Sequence, residues 1–123
     1  GVSVVASESR SQHENRRRAV RRLRHAIAME VRETPPGAAG PALRAVVADP
    51  AWPRVGRKSS ECLLASAEVL DRLADRRGRI SEVADAIGAS TASLVKFLSL
   101  DDSLWQAANR VREQAGQKSL RKP

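Results

Sequence analysis

The feature that most constrains this chain is a dense cluster of arginines on a helical repeat. Positions 16–24 contain six arginines and no acidic residue. Apolar residues recur at helical spacing through this segment and beyond it, at Val20, Leu23, Ile27 and Val31. Ser11, followed three residues later by Glu14, forms a capping-box pattern. The sequence therefore predicts a long basic helix that begins near Ser11 and ends near Arg32.

The charge of this helix favours a nucleic-acid partner. Eight arginines stand against four glutamates in the first 33 residues, an excess of four charges, which is half of the net +8 of the whole chain. An amphipathic helix with a merely solvated polar face is the alternative interpretation, but solvated faces usually mix charges of both signs. Arginine can hold a phosphate through two hydrogen bonds. We therefore expect salt-sensitive contacts with RNA or DNA.

Composition limits the other classes of function. At 123 residues the chain can hold one ordinary domain or two very small ones. Aromatic residues make up 2%, so we expect an aliphatic core and no aromatic platform for stacking bases. Cys62 is the only cysteine, and no apolar run approaches the roughly 20 residues that span a bilayer. These points predict a cytoplasmic protein with no internal disulfide and no membrane partner.

The first seven residues have the pattern of a β-strand. Val2, Val4 and Ala6 alternate with residues of the opposite face, which is the two-residue period of a half-buried strand. A strand needs a neighbour to satisfy its backbone groups, so we expect this one to be the tail of a sheet that begins upstream. The predicted fold is mostly α, with this strand as an α+β remnant, then a long basic helix and a helix-turn-helix-like bundle.

Three segments follow from the pattern. Residues 1–33 hold the strand and the basic helix, residues 34–57 form a linker rich in proline and glycine, and residues 58–123 form a helical domain with a basic tail. Within the linker, residues 42–48 can form two helical turns, and Trp52 is the expected anchor on a core. In the helical domain we expect helices from a cap at Ser59 to Gly78, then over residues 80–87, 91–98 and 103–115, with Asp101 or Asp102 capping the last.

The helices at 80–87 and 91–98 have the spacing of a helix-turn-helix. Gly88 would occupy the turn, and the expected inward residues are Val83, Ala84, Ile87, Leu94, Phe97 and Leu98. The exposed side of the second helix offers Thr91, Ala92, Ser93 and Lys96, with no arginine, asparagine or glutamine to contact base edges. The pattern therefore favours a packing module over a reader of DNA sequence, and Trp105 is expected in the core.

A specific motif lies at the start of the basic helix. Residues 10–19 run Arg-Ser-Gln-His-Glu-Asn-Arg-Arg-Arg-Ala, preceded by Gly-Val-Ser-Val-Val at residues 1–5. This segment resembles the part of class I peptide chain release factors in which a Gly-Ile/Val strand leads into an Arg-Ser-Gln-x-x-Asn-Arg/Lys box and a basic helix. The resemblance covers about residues 1–33. The ending from Leu104 to Lys122 also resembles the C-terminal extension of some bacterial release-factor-like proteins.

The resemblance implies a protein of translation termination or ribosome rescue. In that family the domain enters the peptidyl transferase centre and promotes hydrolysis of the ester between peptide and tRNA, while the box and helix lie against RNA. The partners it implies are large-subunit ribosomal RNA and peptidyl-tRNA, with DNA as the less favoured partner. The RNA-binding residues we expect are Arg10, Gln12, Asn15, Arg16, Arg17, Arg18, Arg21 and Arg22. Ser11 is expected to act as a cap.

The family's catalytic Gly-Gly-Gln does not occur in this sequence. No other catalytic constellation replaces it, because His13 and His25 are too far apart to act together and Cys62 lies in an apolar pattern. We therefore expect no catalytic residue, no metal site and no cofactor in the chain as printed. Hydrolysis would require an upstream Gly-Gly-Gln, which the orphan strand favours.

Two questions stay open at this point. Besides ribosome binding, the sequence is compatible with a helix-turn-helix DNA-binding regulator and with a protein interaction module. Outside the first helix, Lys96, Lys118, Arg121 and Lys122 are further candidate nucleic-acid contacts. The last three are expected either to contact RNA as a flexible tail or simply to keep the terminus soluble.

Overall fold

The computed structural model of the chain describes residues 2–35, 37–55 and 59–123, with side chains from residue 11 onward. These residues contain no strand and form six helices. The helices are α1 (Val2–Glu30), α2 (Pro41–Ala48), α3 (Ser60–Asp75), α4 (Ile80–Ile87), α5 (Thr91–Ser99) and α6 (Asp102–Gln114). The mostly α class is confirmed. No helix among the described residues combines the length and the apolar character needed to cross a membrane.

The predicted N-terminal strand is wrong. Residues 2–7 form the first turns of α1, and Gly1 lies outside the described residues. A helix satisfies its backbone groups within its own segment, whereas a strand needs a partner strand, and the described residues contain none. The predicted capping box is wrong for the same reason: because α1 begins at Val2, Ser11 lies inside the helix and does not cap it.

The core lies around α3, which packs against α1, α2, α4 and α6. Its largest fully buried side chains are Leu43, Val69, Leu70, Leu73, Val83, Leu94, Phe97, Leu98 and Leu104. The buried core is mainly aliphatic, with Phe97 and Trp105 as its aromatic members, and Trp52 stacks on Phe97 with ring centroids 4.9 Å apart. Trp105 is also buried. The predicted roles of both tryptophans are confirmed.

Helix α2 lies within the segment predicted as a linker. The two turns expected over residues 42–48 are confirmed, and α2 buries Leu43 and Val46 in the core against α3. The segment between residues 34 and 57 therefore contributes core residues as well as connecting the helices on either side.

The helix boundaries in the C-terminal half follow local capping chemistry. The Ser59 hydroxyl accepts a hydrogen bond from the Cys62 N–H at 3.1 Å, and the Asp101 carboxylate accepts one from the Leu104 N–H at 3.1 Å. Gly88 ends α4 with a φ of 75°, a left-handed conformation that favours glycine. These predicted caps and the predicted turn are confirmed.

Candidate nucleic-acid interface

The arginine-rich part of α1 extends away from the bundle. Residues 11–24 are all exposed, and His25 is the first half-buried residue along the helix among those whose side chains are described. The helix packs on the bundle through Ala28 and Met29, which are buried. The guanidinium groups before His25 are therefore held on a regular backbone in open solvent.

Helical geometry groups these arginines into one broad surface. Successive residues are rotated by about 100° around a helix, so five arginines share one half of its circumference. We call this surface the basic face, and its members are Arg17, Arg18, Arg21, Arg22 and Arg24. It spans about 10 Å along the helix axis. Arg24 was missed as a contact residue, although its seven-residue spacing from Arg17 could have identified it.

Not all the predicted RNA contacts belong to the basic face. Asn15 borders it, one turn before Arg18 and two turns before Arg22. Gln12 and Arg16 lie on the opposite side of α1. Arg10 is part of α1, but its side chain lies outside those described. The structure therefore brings four predicted arginines together and separates Gln12 and Arg16 from them.

The arginines of the basic face have no acidic partner in the part of the chain that the structure describes. Within the described residues, the Arg21 Nε donates to the Arg17 carbonyl at 3.3 Å. Glu14 lies on the same side of the helix without forming an ion pair to them. Because, apart from the Arg21 Nε, their donors are not committed within the described residues, these guanidinium groups can bind phosphate.

Arginines within the bundle are arranged differently. Arg32 pairs with Asp71 at 3.3 Å, and Arg72 pairs with Glu68 at 2.8 Å. Burial lowers the pKa of Arg32, and burial raises the pKa of Asp71, against the opposing effects of the backbone N–H of Glu33 and of Arg32 itself. These arginines hold segments of the bundle together and are not candidates for nucleic-acid contacts.

The remaining predicted contacts lie on other elements. Lys96 is half-buried on α5, and Lys118, Arg121 and Lys122 are exposed after α6. The residues just after α6 make hydrogen bonds with it. The Leu120 N–H donates to the Asn109 side chain at 2.7 Å, and Arg112 Nε donates to the Lys118 carbonyl at 2.8 Å. The start of the tail is therefore folded back against α6.

A second basic segment was missed by the sequence analysis. Arg76, Arg77 and Arg79 are exposed at the turn between α3 and α4, as the run Arg-Arg-Gly-Arg at residues 76–79 could have suggested. Arg76 and Arg79 both pair with Glu82, at 3.6 and 3.3 Å. This turn therefore has less uncompensated charge than the basic face of α1.

A metal-ligand cluster is missing from the described residues. They contain no group of three or more histidine, cysteine, aspartate or glutamate side chains that could hold a metal ion. The Cys62 side chain is buried in the core. What the described surface provides is an array of unpaired cationic donors, which suits binding and placement of a polyanion.

Comparison of the chain with protein-family models, curated proteins and solved structures gives no match. The motif at residues 10–15 and the geometry of α1 are therefore the features that bear on function.

Proposed function

We propose that this chain is a release-factor-like protein that binds ribosomes in the cytoplasm and acts in translation termination or ribosome rescue. The observation that carries the proposal is the basic face of α1, where five arginines without acidic partners among the described residues project from an exposed helix. The partner we assign is large-subunit ribosomal RNA next to peptidyl-tRNA. Binding would be electrostatic and would weaken steeply with salt.

The motif before the basic face supports RNA over other polyanions. Arg10, Gln12 and Asn15 have the spacing of the release-factor box, which in that family lies against RNA. In α1 the proposed contacts are distributed around the helix, since Gln12 and Arg16 lie opposite the basic face. An RNA cleft that surrounds the helix would contact all of them, whereas a flat duplex surface would contact only one side.

These 123 residues would contribute RNA binding and placement on the ribosome. Hydrolysis of the peptidyl-tRNA ester would need a Gly-Gly-Gln segment to orient water, and this sequence contains none. We assign the α2–α6 bundle a role in positioning or recruitment.

A helix-turn-helix DNA-binding regulator is the second candidate. It is favoured by α4 and α5, which are joined by a short turn at Gly88 in the left-handed conformation. Against it, Thr91 and Ala92 are the exposed residues at the start of α5, and the Ser93 hydroxyl donates to the Ser90 carbonyl at 2.9 Å. This surface has few groups to distinguish bases.

The test is ribosome co-sedimentation of a charge-reversed variant. We expect Arg17→Glu with Arg21→Glu to abolish association with large subunits, because the substitutions replace two phosphate-binding groups with repelling charges. The matched control is Arg44→Glu with Arg54→Glu, which makes the same charge change at two exposed positions outside α1. The control should still co-sediment.

Two results would contradict the proposal. Unchanged co-sedimentation of the α1 variant would leave the basic face as a solvated surface only. A specific footprint on one promoter, without binding to ribosomes, would favour the DNA-binding regulator instead. The wild-type chain should bind ribosomes at moderate salt and bind duplex DNA only weakly.

A further inference from the structure

One face of α1 is apolar and exposed, away from the side that packs on the bundle. Val20, Leu23 and Ile27 retain 43%, 60% and 49% of their accessible surface, and Ala19 and Ala26 beside them are also exposed. The helix docks instead through Ala28 and Met29. The described part of the chain therefore leaves the apolar stripe of its longest helix without a partner, a feature that marks interaction surfaces.

The sequence of this face is symmetric about Leu23. Ala19 lies four positions before Leu23 and Ile27 four positions after it, while Val20 and Ala26 lie three positions before and after. Each pair joins a small residue to a large one. All of these residues lie on one side of α1, centred on Leu23, because offsets of three and four residues return to the same helix face.

Charge follows the same symmetry. Arg16 lies seven positions before Leu23 and Glu30 seven positions after it, on the same side of the helix. Both side chains are exposed, and neither forms an ion pair within the described part of the chain. The face therefore ends in a positive group on one side of Leu23 and a negative group at the same distance on the other.

We propose that the apolar face of α1 pairs with the same face of a second copy of this chain, in an antiparallel arrangement centred on Leu23. A two-fold axis beside Leu23 places each position opposite its counterpart in the other copy. Leu23 then meets Leu23. The large residues Val20 and Ile27 of both copies lie on one side of it, so that Ile27 packs against Val20 of the second copy. The small residues Ala19 and Ala26 lie on the other side, where they let the two backbones approach closely.

The charges specify both the occupant and its direction. In the antiparallel pair, Arg16 of each copy lies level with Glu30 of the other, giving two ion pairs. A parallel pair would place Arg16 beside Arg16 and Glu30 beside Glu30, which repels at both ends. An unrelated partner would have no reason to match a pattern that is symmetric about one residue, whereas a second copy matches it automatically.

The surface around the seam extends the contact. A groove between α1 and α3 runs on from the apolar face and is lined in part by Ile27, Val31, Leu63 and Leu64, with Leu64 63% exposed. The antiparallel arrangement lays the N-terminal half of the second copy's α1 along this groove, whose lining includes Arg24 as well as Glu33. The groove therefore adds apolar contact area to the seam.

Dimer formation leaves the basic face accessible, while Gln12 and Arg16 lie on the side of α1 that the second copy covers. Arg18, Arg21 and Arg22 lie on the side of α1 away from Leu23. A dimer would present two basic faces running in opposite directions. The inference does not rest on the proposed function, since the mass of the particle and its binding to ribosomes are measured separately.

The test is the mass of the full chain in solution, measured by analytical ultracentrifugation after nuclease treatment in buffer of moderate salt. We expect wild type to reach a mass near twice 13.3 kDa with increasing concentration. Leu23→Glu should remain monomeric, while its control Leu100→Glu, at another exposed leucine, should dimerise. Circular dichroism of each variant checks that its helices are retained.

Charge reversal tests the antiparallel register. Arg16→Glu and Glu30→Arg should each weaken dimerisation roughly tenfold or more, whereas Arg18→Glu, the same change on the far side of α1, should not. Mixing the two single variants, or combining both changes in one chain, should restore the dimer. A wild-type chain that stays monomeric at every concentration would overturn the proposal, and so would single reversals that behave like Arg18→Glu.

Discussion

Arginines in two regions of this molecule differ in what surrounds them. On α1 between residues 16 and 24, six guanidinium groups are exposed and have no acidic partner among the described residues. In the bundle, the Arg72 side chain is only 5% exposed, pairs with Glu68 and donates to the Ala38 carbonyl at 2.8 Å. Arginine content alone therefore does not define a binding surface. The pairing state of each guanidinium separates structural from binding roles.

The bundle arginines also connect distant parts of the sequence. Glu68, the partner of Arg72, accepts hydrogen bonds from the Gly40 N–H at 3.0 and 3.1 Å. Arg112 donates to carbonyls of Gly78 and Lys118, joining the turn after α3 to the tail after α6. Substitution of the paired arginines in the bundle is therefore expected to reduce the free energy of unfolding. Substitution of the arginines on α1 is expected to reduce RNA binding.

The largest loss of stability is expected from Arg72→Ala. The substitution leaves the Glu68 carboxylate, which is 16% exposed, without its cation, and breaking a largely buried pair from one side costs about 3 kcal/mol. Chemical denaturation followed by circular dichroism would measure this loss in the free energy of unfolding. Arg18→Ala is the matched control on α1. Equal stability of the two variants would contradict the structural role assigned to Arg72.

A smaller loss is expected from Arg112→Ala. Its guanidinium is partly buried and donates to two backbone carbonyls. Hydrogen bonds that involve a charged group contribute about 1.5 to 3 kcal/mol, and the lower end is expected for this half-exposed side chain. Because the tail would lose its tie to α6, amide exchange at Leu120 should accelerate more than exchange in α1. Unchanged exchange at Leu120 would show that the remaining bond to Asn109 holds the tail alone.

Replacing Asp71 should change how the stability of the fold depends on pH. Burial raises its pKa in the folded chain, so between the ordinary carboxyl value and the raised value the folded state binds more protons than the unfolded state. Its contribution is therefore fully present below the ordinary value and is lost as pH rises through the raised value. The stability of wild type minus that of Asp71→Asn should fall across this window and then level off in denaturant titrations. A rising difference would contradict the assignment.

The smallest effect on stability is expected from Arg18→Ala with Arg22→Ala. Both side chains are exposed, and surface changes of this kind alter stability by less than about 0.5 kcal/mol. If the proposed function holds, the same variant should bind ribosomal RNA more weakly. The plot of log affinity against log salt concentration should become less steep, its slope falling in magnitude by about 1 to 2. Lost stability with unchanged binding would reverse the distinction between the two regions.

Local chemistry explains why much of the bundle could be predicted. The caps at Ser59 and Asp101 and the turn at Gly88 are formed by neighbouring residues, so their signals lie within a few positions of each other in the sequence. The core positions of α4 and α5 follow from helical periodicity, and Val83, Ile87, Leu94 and Phe97 are buried as expected.

The candidate site was predictable in part. The arginine cluster was evident from the sequence, and helical geometry then assembled Arg17, Arg18, Arg21 and Arg22 on one face. The position of Gln12 and Arg16 away from this face could not be predicted from the motif. The spacing of residues 10–15 in the family does not specify where each residue lies around a continuous helix.

Residue types and neighbours a few positions away are enough to specify three features: the mainly aliphatic character of the core, the helix caps and the basic character of α1. Tertiary structure decided the rest. Whether residues 2–7 form a strand depends on a partner strand, and whether Leu23 or Met29 faces the bundle depends on which surface α3 and α6 present. The pairing of Arg32 with Asp71, 39 positions apart, likewise required the folded chain, since no local pattern specifies a contact at that separation.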